Sequence, residues 1–517
     1  MTESTRNADV LIIGGGLSGT MLAVQLLRLP GTRQILVIEP RAELGRGEAY
    51  SAVELGHTLN GNAARMSVEP DNADDLTQWL TDHIAAGGWP ESDQQHVPVS
   101  ELFPPRGLFG LYVQQRLAEA RAQSTSTVEH VRAEAVDLQI EAGAALLTLD
   151  NGEQLRGAHA VLATGMFPAA RTPQTDSSGV NAAAVDPWDV QAMTRIDPQG
   201  SVLIIGSGLT MVDAVVSLEQ AGHRGPIEVF SRHGLLPHVR RQPPAWEDFL
   251  GADPALRSPR QLLRALRRQC RIALAQGIDW QAPLDTVRAH IARLWSQASE
   301  GEKRQFVRHV RPWWESHHHR APPLSAELVA RLQAQGRLRI RAASFKGLAP
   351  AASGVSIRLR FRGEQGITQV SGAALINSSG IEYDWRRVAR PLPQQLLKRG
   401  LIQPGPLALG IAADATGAVL DAHGRASTQL FAMGPPLRGM WWESTAVTDV
   451  ALRGQGLGPG ADDDLRVRAG LLGKRASSDE RAVVASGLLW RAGLPRVGLR
   501  SSPKTRLRAG SGTPCFP

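Results

Sequence analysis

Hydrophobic positions open the chain with one phrase and repeat it later. After Asp9, apolar residues fill 10–13, glycines follow at 14–16 and 19, a helical apolar spacing runs on to Leu29, and after Gln34 the positions 35–38 are apolar until Glu39 ends the run. This order reads as strand, glycine turn, helix, strand. It recurs as an apolar run at 201–205, Gly206 and Gly208, a helix through Leu218 and a strand at 226–230. Between the two, 146–152 looks like a hairpin arm with an Asn-Gly turn, leading into a strand at 158–163. Residues 355–361 alternate strictly and precede an apolar run at 373–377, so the later half repeats the order of hairpin, then strand. From about 244 to 340 the texture changes to Arg, Leu, Gln and Trp. Leu263, Leu266, Cys270 and Leu274 keep helical spacing, with Arg264, Arg268 and Arg271 on another face. After Gly456 the periodicity dissolves, and no structure is expected there.

The pattern predicts an α/β chain with two Rossmann-like dinucleotide-binding domains. The expected boundaries are 1–195 for the first part of one domain, 196–355 for a second domain carrying a helical insertion (244–340), 356–457 for the return to the first, and 458–517 for a basic tail. Composition narrows the chemistry. The 517 residues are 42% hydrophobic and 21% charged, which excludes a fibrous or disordered chain. The two cysteines, Cys270 and Cys515, form no CxxC pair, so dithiol reductases drop out. No window approaches a membrane span and no signal peptide is apparent, so a cytoplasmic protein without a membrane partner is expected. Of the net charge of +8, the segment from Ala461 onward carries +6, leaving +2 on the rest. The basicity belongs to the tail, and nucleic acid is not an expected partner.

Gly14, Gly16 and Gly19 stand between strand and helix, where a backbone can approach a pyrophosphate at a helix N-terminus. Glu39, twenty residues after Gly19, ends the second strand, where a carboxylate accepts ribose hydroxyls. In the second unit Met211 takes the third glycine position. The offset that leads from Gly14 to Glu39 leads from Gly206 to Ser231, followed by Arg232 and His233. A hydroxyl and a cation in place of an acid suit a 2′-phosphate. Two sites imply one resident and one exchanging cofactor: FAD in the first, and NADPH or NADH in the second. Thr164 and Gly165, after a strand, fit a crossing point between the domains.

Further stretches carry a family resemblance: Gly45, Arg46, Gly47, Ala49 and Tyr50; Leu59, Asn60, Ala63, Met66 and Ser67; Pro187 and Trp188; Gly208 to Asp213; Ser231 to Pro237; and Trp442 to Ala446. To about Gln455 the chain resembles the bacterial FAD-NAD(P)-binding flavoproteins with two dinucleotide domains. It departs from their pattern at Asn62, His318 and Gly456, where proline, arginine and alanine are usual. The resemblance implies a monooxygenase: NAD(P)H reduces FAD, O2 adds to give a flavin hydroperoxide, and one oxygen passes to a small-molecule substrate. It also places Arg46, Asn60 and Met66 beside the flavin. Urate, giving 5-hydroxyisourate, is the leading substrate; the alternatives are amino-acid N-hydroxylation and diaphorase-like electron transfer without oxygen insertion.

Trp313, Trp314, Trp441, Trp442 and Arg320 are candidates for stacking and clamping a planar anion, or for packing and structural pairing. Glu443 is a candidate pocket acid or helix cap. No general acid or base stands out. His317, His318 and His319 are adjacent in sequence, so their rings point apart, and no metal site is expected there.

Overall fold

The computed structural model describes residues 5–89, 97–168, 184–251 and 258–450. The tail, Gly456 and Cys515 lie outside the described residues. The first phrase folds as β1 (Arg6–Ile13), α1 (Leu17–Arg28) and β2 (Gln34–Ile38). Further strands are β3 (Thr127–Val131), the hairpin β4 (Ala135–Glu141) and β5 (Ala144–Leu149), β6 (Gln154–Leu162) and, much later, β16 (Ala418–Leu420) and β17 (Ala426–Ala432). They form one sheet, ordered β16-β17-β6-β1-β2-β3, in which β17, β6, β1, β2 and β3 run parallel and the hairpin joins through β5. Leu11, Ile12, Ile35 and Leu162 have no more than 1% exposure, because a parallel sheet is covered on both faces.

The second sheet uses β8 (Ala184–Val185), β9 (Val202–Ile205), β10 (Ile227–Ser231), β11 (Leu338–Ala349), β12 (Val355–Phe361), β13 (Thr368–Gly372) and β14 (Ala374–Asn377). Its order is β13-β12-β11-β10-β9-β14-β8, parallel from β11 to β8 and antiparallel at the β12 and β13 edge. Two short crossing strands, β7 (Phe167–Pro168) and β15 (Ile381–Glu382), pair antiparallel with each other. The chain thus leaves the first sheet after β6 and starts back after β14.

The expected boundaries differ from this pairing. Residue 356 was taken as the return, yet β12, β13 and β14 hydrogen-bond into the second sheet, as do the two residues of β8 ahead of 195. A hairpin followed by a strand occurs in both units, so its second appearance does not mark the return. Between β10 and β11 lies the helical segment, including Pro259–Ala275, Gln281–Thr286, Ile291–Gln297, Glu300–Gln305, Arg311–His318 and Pro323–Ala334. In the helix 259–275, Leu266 and Cys270 are buried as the spacing predicts, but Leu274 is 70% exposed, so the apolar stripe ends a turn early.

Candidate dinucleotide cradles and the helical cavity

Gly14 has φ +108°, and a Cβ there would lie 2.4 Å from Ala163 O, so only glycine fits. The loop then opens α1 with Gly16, which no side chain caps, leaving first-turn N–H groups for a phosphate. Gly19 packs so closely that a Cβ would meet Gly14 O at 1.9 Å. Glu39 is 4% exposed; its Oε2 accepts the Gly15 N–H at 2.9 Å and its Oε1 accepts the Arg41 N–H at 3.1 Å. Oε1 also accepts a hydrogen bond from Arg41 Nη1 at 3.3 Å, so Oε2 is the oxygen that keeps a lone pair for a ribose hydroxyl. Gly47 Cα sits 3.4 Å from the space a Gly16 Cβ would fill, which brings the 45–47 loop, with Arg46 paired to Glu43 at 2.7 Å, against the same turn. Asn60 and Met66 are half-buried around the short turn Ala63–Arg65, and Met66 packs on the core beneath α1.

The second cradle repeats the first. Gly206 has φ +99°, and a Cβ there would meet Ser378 O at 2.0 Å. Gly208 caps the helix Leu209–Gln220 without a side-chain partner. Met211, at the third position, is fully buried. Ser231 Oγ lies 2.8 Å from Ser207 Oγ and accepts the Gly234 N–H at 3.0 Å, so this hydroxyl braces the loop. Arg232 is exposed and makes no ion pair among the described residues. Arg232 and Arg362 both lower the pKa of His233, after burial, which places a second cation at this edge. Sequence reasoning missed Arg362, which lies 130 positions away and arrives only through the β11–β12 pairing.

The crossings match as well. Ser378, like Ala163, carries the carbonyl that faces its cradle's first glycine, so Thr164 corresponds to Ser379; the Thr164 and Ser378 hydroxyls are both buried without a hydrogen-bond partner among the described residues, whereas Ser379 Oγ donates to Asn377 Oδ1 at 2.7 Å. Ser378 was also missed; its signal was the run Asn377, Ser378, Ser379, Gly380 after an apolar strand, parallel to Leu162, Ala163, Thr164, Gly165. Gly165, Phe167, Tyr383 and Trp385 line a small cleft at the crossing.

Asp213, within the matched stretch that starts at Gly208, ties the two units together. Its carboxylate pairs with Arg106 at 2.9 Å in a buried setting, and its carbonyl lies 3.2 Å from His57 Nε2. Trp188 packs edge-on against His57, with Arg106 over its ring.

The proposed planar-anion clamp does not assemble. Arg320 is 1% exposed and its guanidinium is consumed internally: Nε donates to His317 O at 2.7 Å, Nη1 to Gln281 Oε1 at 2.7 Å and Nη2 to Asp285 Oδ1 at 2.6 Å. Trp441 packs on a cluster of the first sheet, whereas Trp313 and Trp314 belong to the helical cluster. Trp314 stacks on His318 at 4.6 Å. Glu443 is 8% exposed and lies 3.7 Å from His318 Nε2. Burial alone would raise its pKa, but His318, His319 and Arg438 hold it below the usual carboxylate range, so it stays ionised at neutral pH. Burial draws His318 down to about 4 against the pull of Glu443. The three consecutive histidines do point apart: His317 to Trp313 O, His318 to Glu443 and His319 to Glu315.

Within the helical segment lies a larger, almost wholly apolar cleft that is partly open to solvent. Trp295, Phe306, Trp314 and Trp442 form much of its wall, with leucines from the helix 259–275. Of the four tryptophans weighed for stacking, Trp314 and Trp442 lie here. No helix among the described residues is long and apolar enough to cross a membrane.

Residues 11–167 match the sequence model of a family described as FAD-NAD(P)-binding. No curated protein matches the chain by sequence. Among solved structures, the ornithine N-hydroxylase of Kutzneria sp. 744, with reduced FAD, NADP+ and L-ornithine, matches with TM-score 0.59 and 13% identity, over 87% of this chain and 97% of that one. The ornithine hydroxylase of Pseudomonas aeruginosa gives 0.57 and 14%, over 90% and 99%. The FAD-bound cadaverine monooxygenase of Erwinia amylovora gives 0.58 and 10%, over 90% and 95%. With its two glycine cradles and paired crossings, this chain has the two-dinucleotide fold of FAD/NAD(P)-binding flavoprotein oxidoreductases.

Proposed function

We propose that the protein is an FAD-dependent, NADPH-consuming monooxygenase that hydroxylates an amine nitrogen. The observation that carries it is the duplicated cradle, each with a glycine at positive φ pressed on a strand end ahead of an uncapped helix N-terminus, in a chain whose fold follows amine hydroxylases over most of its length. The residues present fit the cofactors. The α1 N-terminus and Glu39 would hold the pyrophosphate and ribose of FAD, and the turn at Gly208 with Arg232 would hold the nicotinamide dinucleotide and its 2′-phosphate. Bound FAD supplies hydride acceptance and oxygen activation. The chain's own work is to orient both dinucleotides and keep water from the reacting ring.

Urate hydroxylation loses its support, because Arg320 is spent on Asp285 and the tryptophans chosen for stacking lie in separate clusters. NADPH is favoured over NADH by the absence of any acid at Ser231 and by the unpaired Arg232. The test is NADPH oxidation with oxygen uptake and peroxide yield, run with a panel of aliphatic amines and with urate. Hydroxylamine formation matched to oxygen uptake supports the reading. Urate loss, or NADPH oxidation that never depends on an amine, refutes it.

A further inference from the structure

Two stretches singled out in the sequence are only partly used by the cofactor cradles. Gly208 serves the second cradle, but Asp213 and Trp188 meet the first unit instead. Asp213 stands in the second turn of the helix Leu209–Gln220 that Gly208 opens. It is 5% exposed, and its carboxylate pairs with Arg106 at 2.9 Å. One turn later, Ser217 Oγ lies 2.8 Å from His57 Nε2, which also lies 3.2 Å from the Asp213 carbonyl oxygen. Val216 and Gln220 complete the same face, since a Cβ at Gly56 would stand 2.7 Å from Val216 Cγ1 and from Gln220 Nε2. Residues 213, 216, 217 and 220 form one helical stripe, so this side of the helix rests on the 56–58 turn of the first unit.

Arg106 is tied to that turn twice more: its N–H donates to His57 O at 2.8 Å and its Nε to Thr58 O at 3.2 Å. Trp188, just after β8 in the second unit, closes the joint. Its ring meets His57 edge-on, with centres 5.6 Å apart, and the Arg106 guanidinium lies 5.4 Å over it. The joint lies on a short path between the cradles. Five positions lead from Gly208 to Asp213, and three lead from His57 to Asn60, one of the residues expected beside the flavin.

Burial raises the Asp213 pKa against the pull of Arg106 and His57, and lowers that of His57, so both groups bear a desolvation cost. A buried ion pair adds little net stability over apolar side chains of similar volume. An apolar stripe could hold the two units together and still let them slide. A charge pair with directed hydrogen bonds admits one register.

From this geometry we propose that Asp213, Arg106 and His57 are positioning residues for flavin reduction: acting through the helix, they hold the nicotinamide cradle in the register from which NADPH passes a hydride to FAD. NADPH leaves as NADP+, and FAD keeps the two electrons. The inference rests on the two-cofactor reading and not on which substrate is oxidised.

The experiment uses full-length, FAD-loaded protein, anaerobic and without any amine. Stopped-flow absorbance gives the limiting rate of flavin reduction by NADPH, and calorimetry gives the affinity for NADP+. Asp213→Asn keeps the shape and removes the charge. It should lower the limiting rate by about tenfold, with NADP+ affinity within about threefold of wild type, because a shift of about 1 Å is enough to misalign hydride transfer. Arg106→Gln should do the same, and the double variant should be no slower than the slower single by more than about twofold, since both remove one contact. NADP+ should perturb the oxidised-flavin spectrum of wild type and leave that of Asp213→Asn unchanged, a readout that needs no turnover. Thermal melting and FAD absorbance verify folding. Trp188→Leu, at a partly exposed position, carries the test if Asp213→Asn does not fold, and should slow reduction by about threefold. A limiting rate within about twofold of wild type in the folded variants, singles whose effects multiply in the double, or rate and affinity lost together would overturn the proposal. Wild type whose FAD is not reduced by NADPH would overturn the cofactor reading itself, and the proposal with it.

Discussion

Arg320→Met separates a buried strut from a substrate clamp. The guanidinium is 1% exposed and makes three short hydrogen bonds, to His317 O, Gln281 Oε1 and Asp285 Oδ1. Methionine fills most of the volume but leaves those acceptors unmatched. Breaking a buried ion pair from one side costs about 3–5 kcal/mol. Here Asp285 keeps Arg65 at 3.0 Å, so the lower end, about 3 kcal/mol, is the expected loss. At about 2–4 °C per kcal/mol for a domain of this size, the melting temperature should fall by roughly 6–12 °C. Arg320→Lys keeps a charge for Asp285 and cannot span all three acceptors, so it should fall between wild type and Arg320→Met. The assay is thermal unfolding by circular dichroism, with FAD absorbance and steady-state kinetics on the same samples. A melting temperature within about 2 °C of wild type, combined with a raised KM for the oxidised substrate, would refute the reasoning and restore Arg320 as a clamp.

Three further outcomes follow from the same geometry. Gly14→Ala should yield protein without FAD, because its Cβ would stand 2.4 Å from Ala163 O, whereas Gly206→Ala, with Cβ 2.0 Å from Ser378 O, should keep FAD and lose NADPH-driven reduction; FAD absorbance and anaerobic reduction by NADPH distinguish the two. Arg232→Ala should lower the ratio of kcat/KM for NADPH over NADH by about tenfold, and a ratio that does not move places the guanidinium away from the 2′-phosphate. His317 is 4% exposed and its pKa is lowered to about 4, first by burial and then by His238; because the folded value lies below the unfolded one, stability is full above about pH 6.5 and is lost as the pH falls from there toward 4, by up to about 3 kcal/mol, and His317→Gln should flatten that limb of the urea-denaturation profile.

Both cradles were legible in the sequence because their determinants are local. A strand, a glycine forced to positive φ and the start of a helix lie within a dozen residues, and Glu39 follows at a spacing that one strand and one helix impose. The crossings were half legible: Thr164 and Gly165 stood out, while Ser378 and Gly380 did not, since the second copy replaces Ala-Thr-Gly with Ser-Ser-Gly. The domain boundaries failed for a different reason. Alternation marks a half-buried strand but not the sheet it joins, and β12 could have closed either unit until its register with β11 was known. Arg362, which flanks His233 with Arg232, was illegible because strand pairing alone brings it there.

The substrate end shows the deeper limit. A sequence displays every donor it contains, but a binding site is made from donors left over after internal pairing. Arg320 looked like the cation for a planar anion, and Asp285, 35 positions earlier, had already taken it. Lys303 drew no attention, yet its ammonium is left without an ion pair because Arg304, its neighbour, holds Glu300. Likewise Trp295 spends its indole N–H on Gly439 O, while Trp314 and Trp442 keep theirs. Residue type and spacing are identical before and after this accounting; only the partners change. The chemistry a ligand must supply is therefore the complement of whatever internal pairing leaves over, and that remainder is set by the fold.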